Sequence, residues 1–137
     1  AFWVHAWRQG RALTYLGYGG QGAQVRDCLH PRDLVSLLVR QMTHPPDVGI
    51  ERIVNVAGGA EHAISLAQLS DWCTRRFGVR EVGSDPAERR FDVPWLVLDA
   101  SRAEALWDWR PATTLDAILE EIAAHAEEHP RWLEMTM

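Results

Sequence analysis

The stretch that contributes most to the fold prediction is Gly17-Tyr18-Gly19-Gly20-Gln21-Gly22, followed by Gln24-Val25-Arg26-Asp27-Cys28-Leu29-His30. The glycines predict a flexible loop. Polar and apolar residues alternate in the second part, which predicts an extended segment. Pro31 suits the first turn of a helix, and apolar residues then recur at helical spacing to about Thr43. Pro45-Pro46 ends this helix.

Similar patterns predict the elements on either side of this stretch. The predicted helices are 2–9 with a glycine stop at Gly10, 66–77 with a capping box of Ser65 and Gln68, a short one capped by Ser101 that runs through Leu106, and a last one from Thr113-Thr114 to Glu128. The predicted strands are 12–16, 52–57 and 95–98, with 52–57 the best candidate for a buried strand. Residues 79–94 are predicted to be irregular. This order predicts an α/β fold with about five helices and a few short strands.

Three or four short strands cannot form a sizeable sheet alone, so we expect some of them to complete a sheet begun by an upstream segment. The chain also begins with Ala1, inside a predicted helix. Both features indicate a fragment of a longer protein. We therefore treat 1–137 as one domain of it, and expect exposed apolar strand surface to cause self-association.

Composition limits the possible partners. The net charge is -5 and the isoelectric point about 5.6, so we expect no nucleic-acid partner. No apolar run approaches the ~18 residues of a membrane span. No secretory signal opens the chain, and Cys28 and Cys73 form no CxxC unit. These features predict a cytoplasmic protein with reduced thiols.

The chain contains 14 basic residues, and all of them are arginine. The absence of lysine excludes a Walker phosphate lysine, a Schiff base and a Tyr-Lys proton relay within this chain. The glycine loop lies between two predicted strands, not between a strand and a helix as a dinucleotide-binding GxGxxG loop does. A mobile turn and a substrate-facing flap both remain open for it.

Arg26 and Arg89 are the candidate anion ligands. A guanidinium can donate two parallel hydrogen bonds to a diphosphate. For Arg26 the alternative is an ion pair with Asp27 or Asp33. For Arg89, which precedes Arg90, the alternative is a solvated charge pair.

The histidines and tryptophans favour simpler roles. His125 and His129 have the i, i+4 spacing of zinc ligands, but no third ligand is implied and HExxH is absent, so we predict no metal site. His30 is equally compatible with a core position or a substrate contact. Trp107 and Trp109 flank a turn, and core packing is favoured over stacking on a ligand.

Several of these segments together resemble the extended short-chain dehydrogenase/reductase family, the NAD-dependent nucleotide-sugar epimerases and dehydratases. The first is the stretch from Gly17 to Leu34, which is similar to G-x-G-G…Q-V-R-D-x-L-H-x-x-D-L. Three others follow in the family's order, namely Val54–Leu66 (N-V-G-G-G-x-E-N-x-x-S-L), Arg89–Asp92 with Asp99–Ala103 (R-x-x-D, then D-x-S-K-A), and Trp107–Pro111 (G-W-x-P). The form of the stretch from Val54 to Leu66 resembles the CDP-paratose 2-epimerase branch.

This resemblance implies the carboxy-terminal, substrate-binding portion of a Rossmann-type enzyme, with the amino-terminal cofactor domain absent. By position, Arg26 and Arg89 match the family's diphosphate-binding arginines, and we assign Gln24 and Tyr18 to the same substrate site. The substrate implied is a nucleotide-diphosphate sugar, CDP-linked in this branch, epimerised at C2 by transient oxidation with NAD.

The sequence also departs from the family pattern. GxxGxxG and YxxxK are missing, and Ala57, His62 and Arg102 replace a usual glycine, asparagine and lysine. We therefore assign no catalytic residue, and expect this chain alone neither to bind NAD nor to turn over substrate. The alternative is a non-catalytic binding or interaction module derived from the same fold. A third interpretation, a small metal-dependent hydrolase using His125 and His129, is the weakest of the three.

Overall fold

The computed structural model describes residues 1–44, 53–88 and 90–136. Its helices are α1 (Phe2–Gln9), α2 (Pro31–Thr43), α3 (Leu66–Phe77), α4 (Ser101–Trp107), α5 (Leu115–Glu128) and α6 (Trp132–Thr136). Its strands are β1 (Thr14–Leu16), β2 (Val25–Asp27), β3 (Ala63–Ser65), β4 (Gly83–Asp85) and β5 (Trp95–Leu96). Short 3-10 turns lie at Tyr18–Gly20 and Ala60–His62. The predicted α/β class is confirmed, although α6 was not predicted.

The strands form two small sheets. One contains β1 and β4 in parallel, with Thr14 opposite Gly83 and Leu16 opposite Asp85. The other has the order β3-β2-β5. Strand β4 corrects the prediction of irregular structure over 79–94. Its sequence contains no β-favouring residue and its side chains are exposed, so backbone pairing with β1 alone determines it.

The predicted buried strand 52–57 is wrong over 53–57, and Arg52 lies outside the described residues. Residues 53–57 belong to no sheet, yet their burial still alternates, from an exposed Ile53 to a buried Ala57. Val54 and Val56 pack against a buried cluster. The β pattern therefore reflects side-chain packing, while none of the described strands supplies a hydrogen-bonding neighbour.

The chain divides into two compact units. Unit 1 contains residues 1–25, 64–95 and 119–137, and unit 2 contains 26–63 and 96–118. The assignment of 1–137 to one domain stays a prediction.

Unit 1 is built around α1. Val4, His5, Ala6 and Trp7 are buried, and the helix packs against α3 and α6. Trp7 Nε1 donates to the carbonyl oxygen of Gly78 across 3.1 Å. Gly10 ends α1 in the left-handed conformation (φ 70°), which confirms the predicted glycine stop.

Unit 2 has its core between α2 and α4. Leu37, Ala103 and Trp109 form the buried centre. Trp109 Nε1 donates to the carbonyl oxygen of Asp33 (3.0 Å) and to Ser36 Oγ (2.9 Å). Core packing is therefore confirmed for Trp109, and Trp107 is a half-buried neighbour of the same cluster.

The helix starts show which capping signals are reliable. Ser65 and Gln68 form the predicted capping box. His30, whose role was open, caps α2 by accepting from Arg32 N at Nδ1 (3.0 Å). The Ser101 cap is wrong, because α4 begins at Ser101 itself and its N-cap position is Ala100, which has no side-chain cap. Ser101 N donates to Asp99 Oδ1 (2.8 Å). That hydrogen bond lowers the pKa of Asp99.

Helix α2 carries an apolar stripe on its exposed side. Its members, spaced at i, i+1, i+4, i+5 and i+8, are Leu34, Val35, Leu38, Val39 and Met42, with exposed fractions from 40% to 82%. Such a contiguous exposed patch is typical of an interaction surface. None of the helices described is both long and apolar enough to cross a membrane.

Candidate functional site

The glycine loop of unit 1 has a defined left-handed backbone. Gly17, Gly19, Gly20 and Gly22 have φ between 65° and 73°, and Tyr18 has φ 45°. At Gly22 an added Cβ would lie 2.6 Å from the Tyr15 ring and 3.0 Å from Ala67 N. Glycine is therefore required there both by backbone conformation and by close packing.

Two predicted substrate-binding residues, Tyr18 and Gln24, meet at Asp92. The Tyr18 hydroxyl donates to the Asp92 carbonyl oxygen across 2.9 Å. Gln24 Nε2 donates to Asp92 Oδ2 (3.2 Å) and to the carbonyl oxygen of Leu16 (2.6 Å). These contacts join the glycine loop to the segment that follows β4.

A pocket of about 270 Å³ lies between the loop and that segment, within unit 1. Its described lining residues are Tyr18, Gly19, Pro86, Glu88 and Asp92. Carboxylate and phenol oxygens can accept hydrogen bonds from the hydroxyls of a sugar. The same carboxylates would repel a diphosphate, so binding of a diphosphate at this position requires cationic side chains as well.

Gln24 also has an unused acceptor. Its Oε1 is buried and has no hydrogen-bond partner in the part of the chain that the structure describes. A buried acceptor without a partner carries a free-energy cost. Gln24 thus combines a structural role through Nε2 with a vacant hydrogen-bonding capacity at Oε1.

Of the two candidate arginines, Arg26 belongs to the described residues and Arg89 does not. Arg89 lies outside the described residues, so its convergence with Arg26 on one diphosphate stays a prediction. Arg26 is the half-buried middle residue of β2, in unit 2. Of its two alternative ion-pair partners, Asp27 Oδ2 accepts from Gly59 N (3.0 Å) and Asp33 Oδ2 accepts from Thr113 N (3.1 Å).

Sequence reasoning missed Asp92 and Glu88 as pocket residues. Asp92 is the last residue of the R-x-x-D pattern, which was a signal for it. That pattern did not indicate that Asp92 binds the glycine loop. Glu88 carried no signal beyond its place in a polar segment.

The alternative metal site gains no support from the geometry. His125 Nδ1 lies 3.1 Å from His5 Nε2, an arrangement that uses this nitrogen in a hydrogen bond. In the three described ranges, no group of three or more histidine, cysteine or acidic side chains is arranged to hold a metal ion. The cysteines, Cys28 and Cys73, are both free thiols, as predicted.

Comparison with known proteins finds the fold in solved structures only. No protein-family model matches the chain, and no curated protein matches it. The chain is similar to a UDP-glucose 4-epimerase from Thermotoga maritima, solved with UDP-glucose (19% identity, TM-score 0.72), over 93% of this chain and 38% of that one. It is similar to a UDP-glucuronic acid 4-epimerase from Bacillus cereus, solved with UDP-glucuronic acid and NAD (18% identity, TM-score 0.75), over 91% and 38% of the two chains.

A third similar structure is the Bordetella bronchiseptica enzyme WbmG with NAD and UDP (19% identity, TM-score 0.73), with 94% and 39% of the chains covered. At these identities the likeness shows the fold. The chain spans less than two fifths of the length of the structures it matches. It therefore has the fold of part of a Rossmann-type nucleotide-sugar epimerase, which agrees with the predicted fold class.

Proposed function

We propose that this chain is the nucleotide-sugar-binding portion of an NAD-dependent epimerase or dehydratase of the extended short-chain dehydrogenase/reductase family. The observation that carries the proposal is the joint contact of Tyr18 and Gln24 with Asp92 at a polar pocket. These two residues were assigned to substrate binding from sequence alone. The shared fold with enzymes solved with UDP-sugars supports the same class of ligand.

Each side chain has a role that follows from its chemistry. Glu88 and Asp92 accept hydrogen bonds from sugar hydroxyls, and Gln24 positions Asp92 through its Nε2. By its place in R-x-x-D, Arg89 is a ligand that neutralises the diphosphate. By its position in Q-V-R-D, Arg26 is a second diphosphate ligand.

The finer proposal is a CDP-linked sugar and epimerisation at C2, as in the CDP-paratose 2-epimerase branch. It rests on the stretch from Val54 to Leu66 alone. In a complete enzyme NAD would supply transient oxidation of the sugar. This chain contributes binding and orientation, since it contains neither a lysine nor YxxxK.

The α2 stripe supports operation together with further polypeptide. Apolar side chains of this number and spacing on one helix face are stabilised when another surface covers them. We propose that the cofactor domain implied by the resemblance covers the stripe in the working protein. Without it the stripe favours self-association. The free thiols of Cys28 and Cys73 fit the proposed cytoplasmic location.

A non-catalytic binding module is the second candidate, favoured by the absence of GxxGxxG and YxxxK from the sequence. It has the same binding site as the first candidate but is not part of a catalytic protein. The DNA upstream of the Ala1 codon distinguishes them. An in-frame GxxGxxG and YxxxK supports the enzyme, and a start codon without them supports the module.

Calorimetric titration tests the binding site. CDP-glucose and UDP-glucose are titrated separately into the chain, and we expect weak binding with CDP-glucose preferred. Arg26→Ala and Arg89→Ala should each weaken binding about tenfold or more, because each removes a charge-assisted contact to the diphosphate.

Arg75→Ala is the matched control. Arg75 is an exposed arginine on α3, so this variant changes the net charge equally without touching the proposed site. Unchanged affinity in both site variants would remove the diphosphate assignment. An equal loss in Arg75→Ala would show a non-specific charge effect instead.

A further inference from the structure

Three histidines and a tryptophan from opposite ends of the chain form a cluster in unit 1. His5 on α1 is 1% exposed, and its Nε2 lies 3.1 Å from Nδ1 of His125 on α5. The His129 ring lies 4.5 Å from the His125 ring between centroids. The Trp132 ring lies 4.5 Å from that of His5 and 5.9 Å from that of His125. The contact thus joins α1 to α5 and α6.

The hydrogen-bond pattern admits one favourable protonation state. His5 Nδ1 is buried and has no partner among the described residues. If His5 carries its proton on Nε2, it donates to His125 Nδ1 and leaves its own Nδ1 bare. The reverse arrangement costs more. If His125 carries its proton on Nδ1, that N–H donates to His5 Nε2, and the proton of neutral His5 must lie on its own buried Nδ1.

Protonation of either ring therefore disrupts the arrangement. A charged His5 places an N–H at the buried Nδ1, where the described residues offer no acceptor. A charged His125 donates to His5 Nε2 and moves the proton of His5 to the same buried nitrogen. With both rings charged, two N–H groups face each other at the 3.1 Å contact.

Burial and cationic neighbours together set the pKa of His5. Burial lowers the pKa of His5 most, followed by the positive charges of His125, the amino terminus, Arg8 and His129. Each of these charged groups is cationic. From the other elements packed on α1, the Trp132 ring of α6 contacts His5, and the Ser70 hydroxyl of α3 accepts from Trp3 Nε1. The acidic residues on the same face of α5 as His125 are Glu121 and Glu128.

We propose that this cluster is an acid-sensitive switch, in which protonation of the His5–His125 pair releases α1 from α5 and α6. The direction follows from proton linkage. The folded pKa of His5 is below its ordinary value of 6.5, so the opened state binds more protons. The contribution of the neutral His5 to the stability of the closed state is complete above pH 6.5. It is lost as pH falls from 6.5 to the pKa of His5 in the folded chain. Opening of α1 rises by at most about tenfold per pH unit for each proton taken up.

Hydrogen–deuterium exchange of the full chain measures this opening. Exchange is followed from pH 7.5 to 5.5 and corrected for the intrinsic rate. Amides of α1 should open several-fold more at pH 5.5, while those of α4, which contains no histidine, serve as the internal reference. His5→Gln should abolish the extra opening, because glutamine can donate to His125 without titrating. His44→Gln, an exposed histidine at the end of α2, should retain it.

Nitrogen-15 NMR of the wild-type imidazoles provides a test that does not depend on a variant folding. We expect His5 to be the Nε2–H tautomer and to stay neutral below pH 6.5. An Nδ1–H tautomer, or titration of His5 at or above pH 6.5, would overturn the proposal. Exchange in α1 that does not depend on pH would overturn it as well.

Discussion

Gln24 Nε2 donates to Asp92 Oδ2 across 3.2 Å, joining two residues that are 68 positions apart in the chain. The Tyr18 hydroxyl reaches the backbone of the same aspartate. The glycine loop is thereby fixed to the segment after β4, and the pocket lies between them. The geometry of the pocket depends on this contact.

The first prediction concerns that contact. Gln24→Ala removes both hydrogen bonds of Nε2 and should lower the free energy of unfolding by about 1–2 kcal/mol. It should also weaken nucleotide-sugar binding. Gln21→Ala, an exposed glutamine of the same loop, is the control and should change neither property. Urea denaturation and calorimetry provide the two measurements, and equal stabilities of the two variants would contradict the structural role of Gln24.

The second prediction separates backbone strain from close packing. Gly22→Ala and Gly59→Ala both place a Cβ at positive φ, 68° and 73°. Only Gly22 also meets neighbouring atoms, since among the described residues no atom beyond the chain neighbours lies within 4 Å of a Cβ at Gly59. Gly59→Ala should destabilise by about 1–3 kcal/mol from strain, because φ 73° with ψ -169° is a conformation that only glycine adopts readily. Gly22→Ala should cost about 1–3 kcal/mol more, because the Tyr15 ring must move. A Gly22→Ala variant as stable as Gly59→Ala would show that the loop adapts freely.

Tryptophan substitutions test the core of unit 2. Trp109→Ala should lower the free energy of unfolding by about 3–5 kcal/mol, because it empties a buried position and removes two hydrogen bonds. Trp95→Ala, at a residue that is 62% exposed, should change it by less than about 0.5 kcal/mol. Both are measured by chemical denaturation, and similar losses would contradict the assignment of the core.

The α2 stripe leads to a prediction about association. Light scattering of the chain alone should show self-association, which Val35→Glu with Val39→Glu should reduce, because two charges interrupt the apolar surface. Val79→Glu, at an exposed valine outside the stripe, should not reduce it. A monomeric, monodisperse wild-type chain would argue against the stripe as an interaction surface.

Five of the six described helices were predictable from local chemistry. Gly10, Pro31 and the Ser65–Gln68 capping box define helix ends through their own backbone and side-chain bonds, which the sequence contains in full. Strands require a partner that the local sequence does not name. Gly83–Asp85 therefore forms a strand without β-favouring residues, and 53–57 has the pattern but no partner in the described chain.

The candidate site was predictable in part for the same reason. Tyr18 and Gln24 belong to a continuous stretch with recognisable spacing. Asp92, which holds them together, is distant in sequence, and its role depends on tertiary contacts. The His5–His125 pair was also out of reach, because only the folded chain brings residues 120 positions apart into contact.

Chemical-shift mapping tests the central claim most directly. Nitrogen-15-labelled chain is titrated with CDP-glucose, and amide resonances are followed by NMR. The account predicts saturable shifts in Tyr18–Gln24 and in residues 86–92, with the side-chain amide of Gln24 among those that move. An absence of saturable shifts, or shifts confined to other surfaces, would contradict the proposal that this pocket binds a nucleotide sugar.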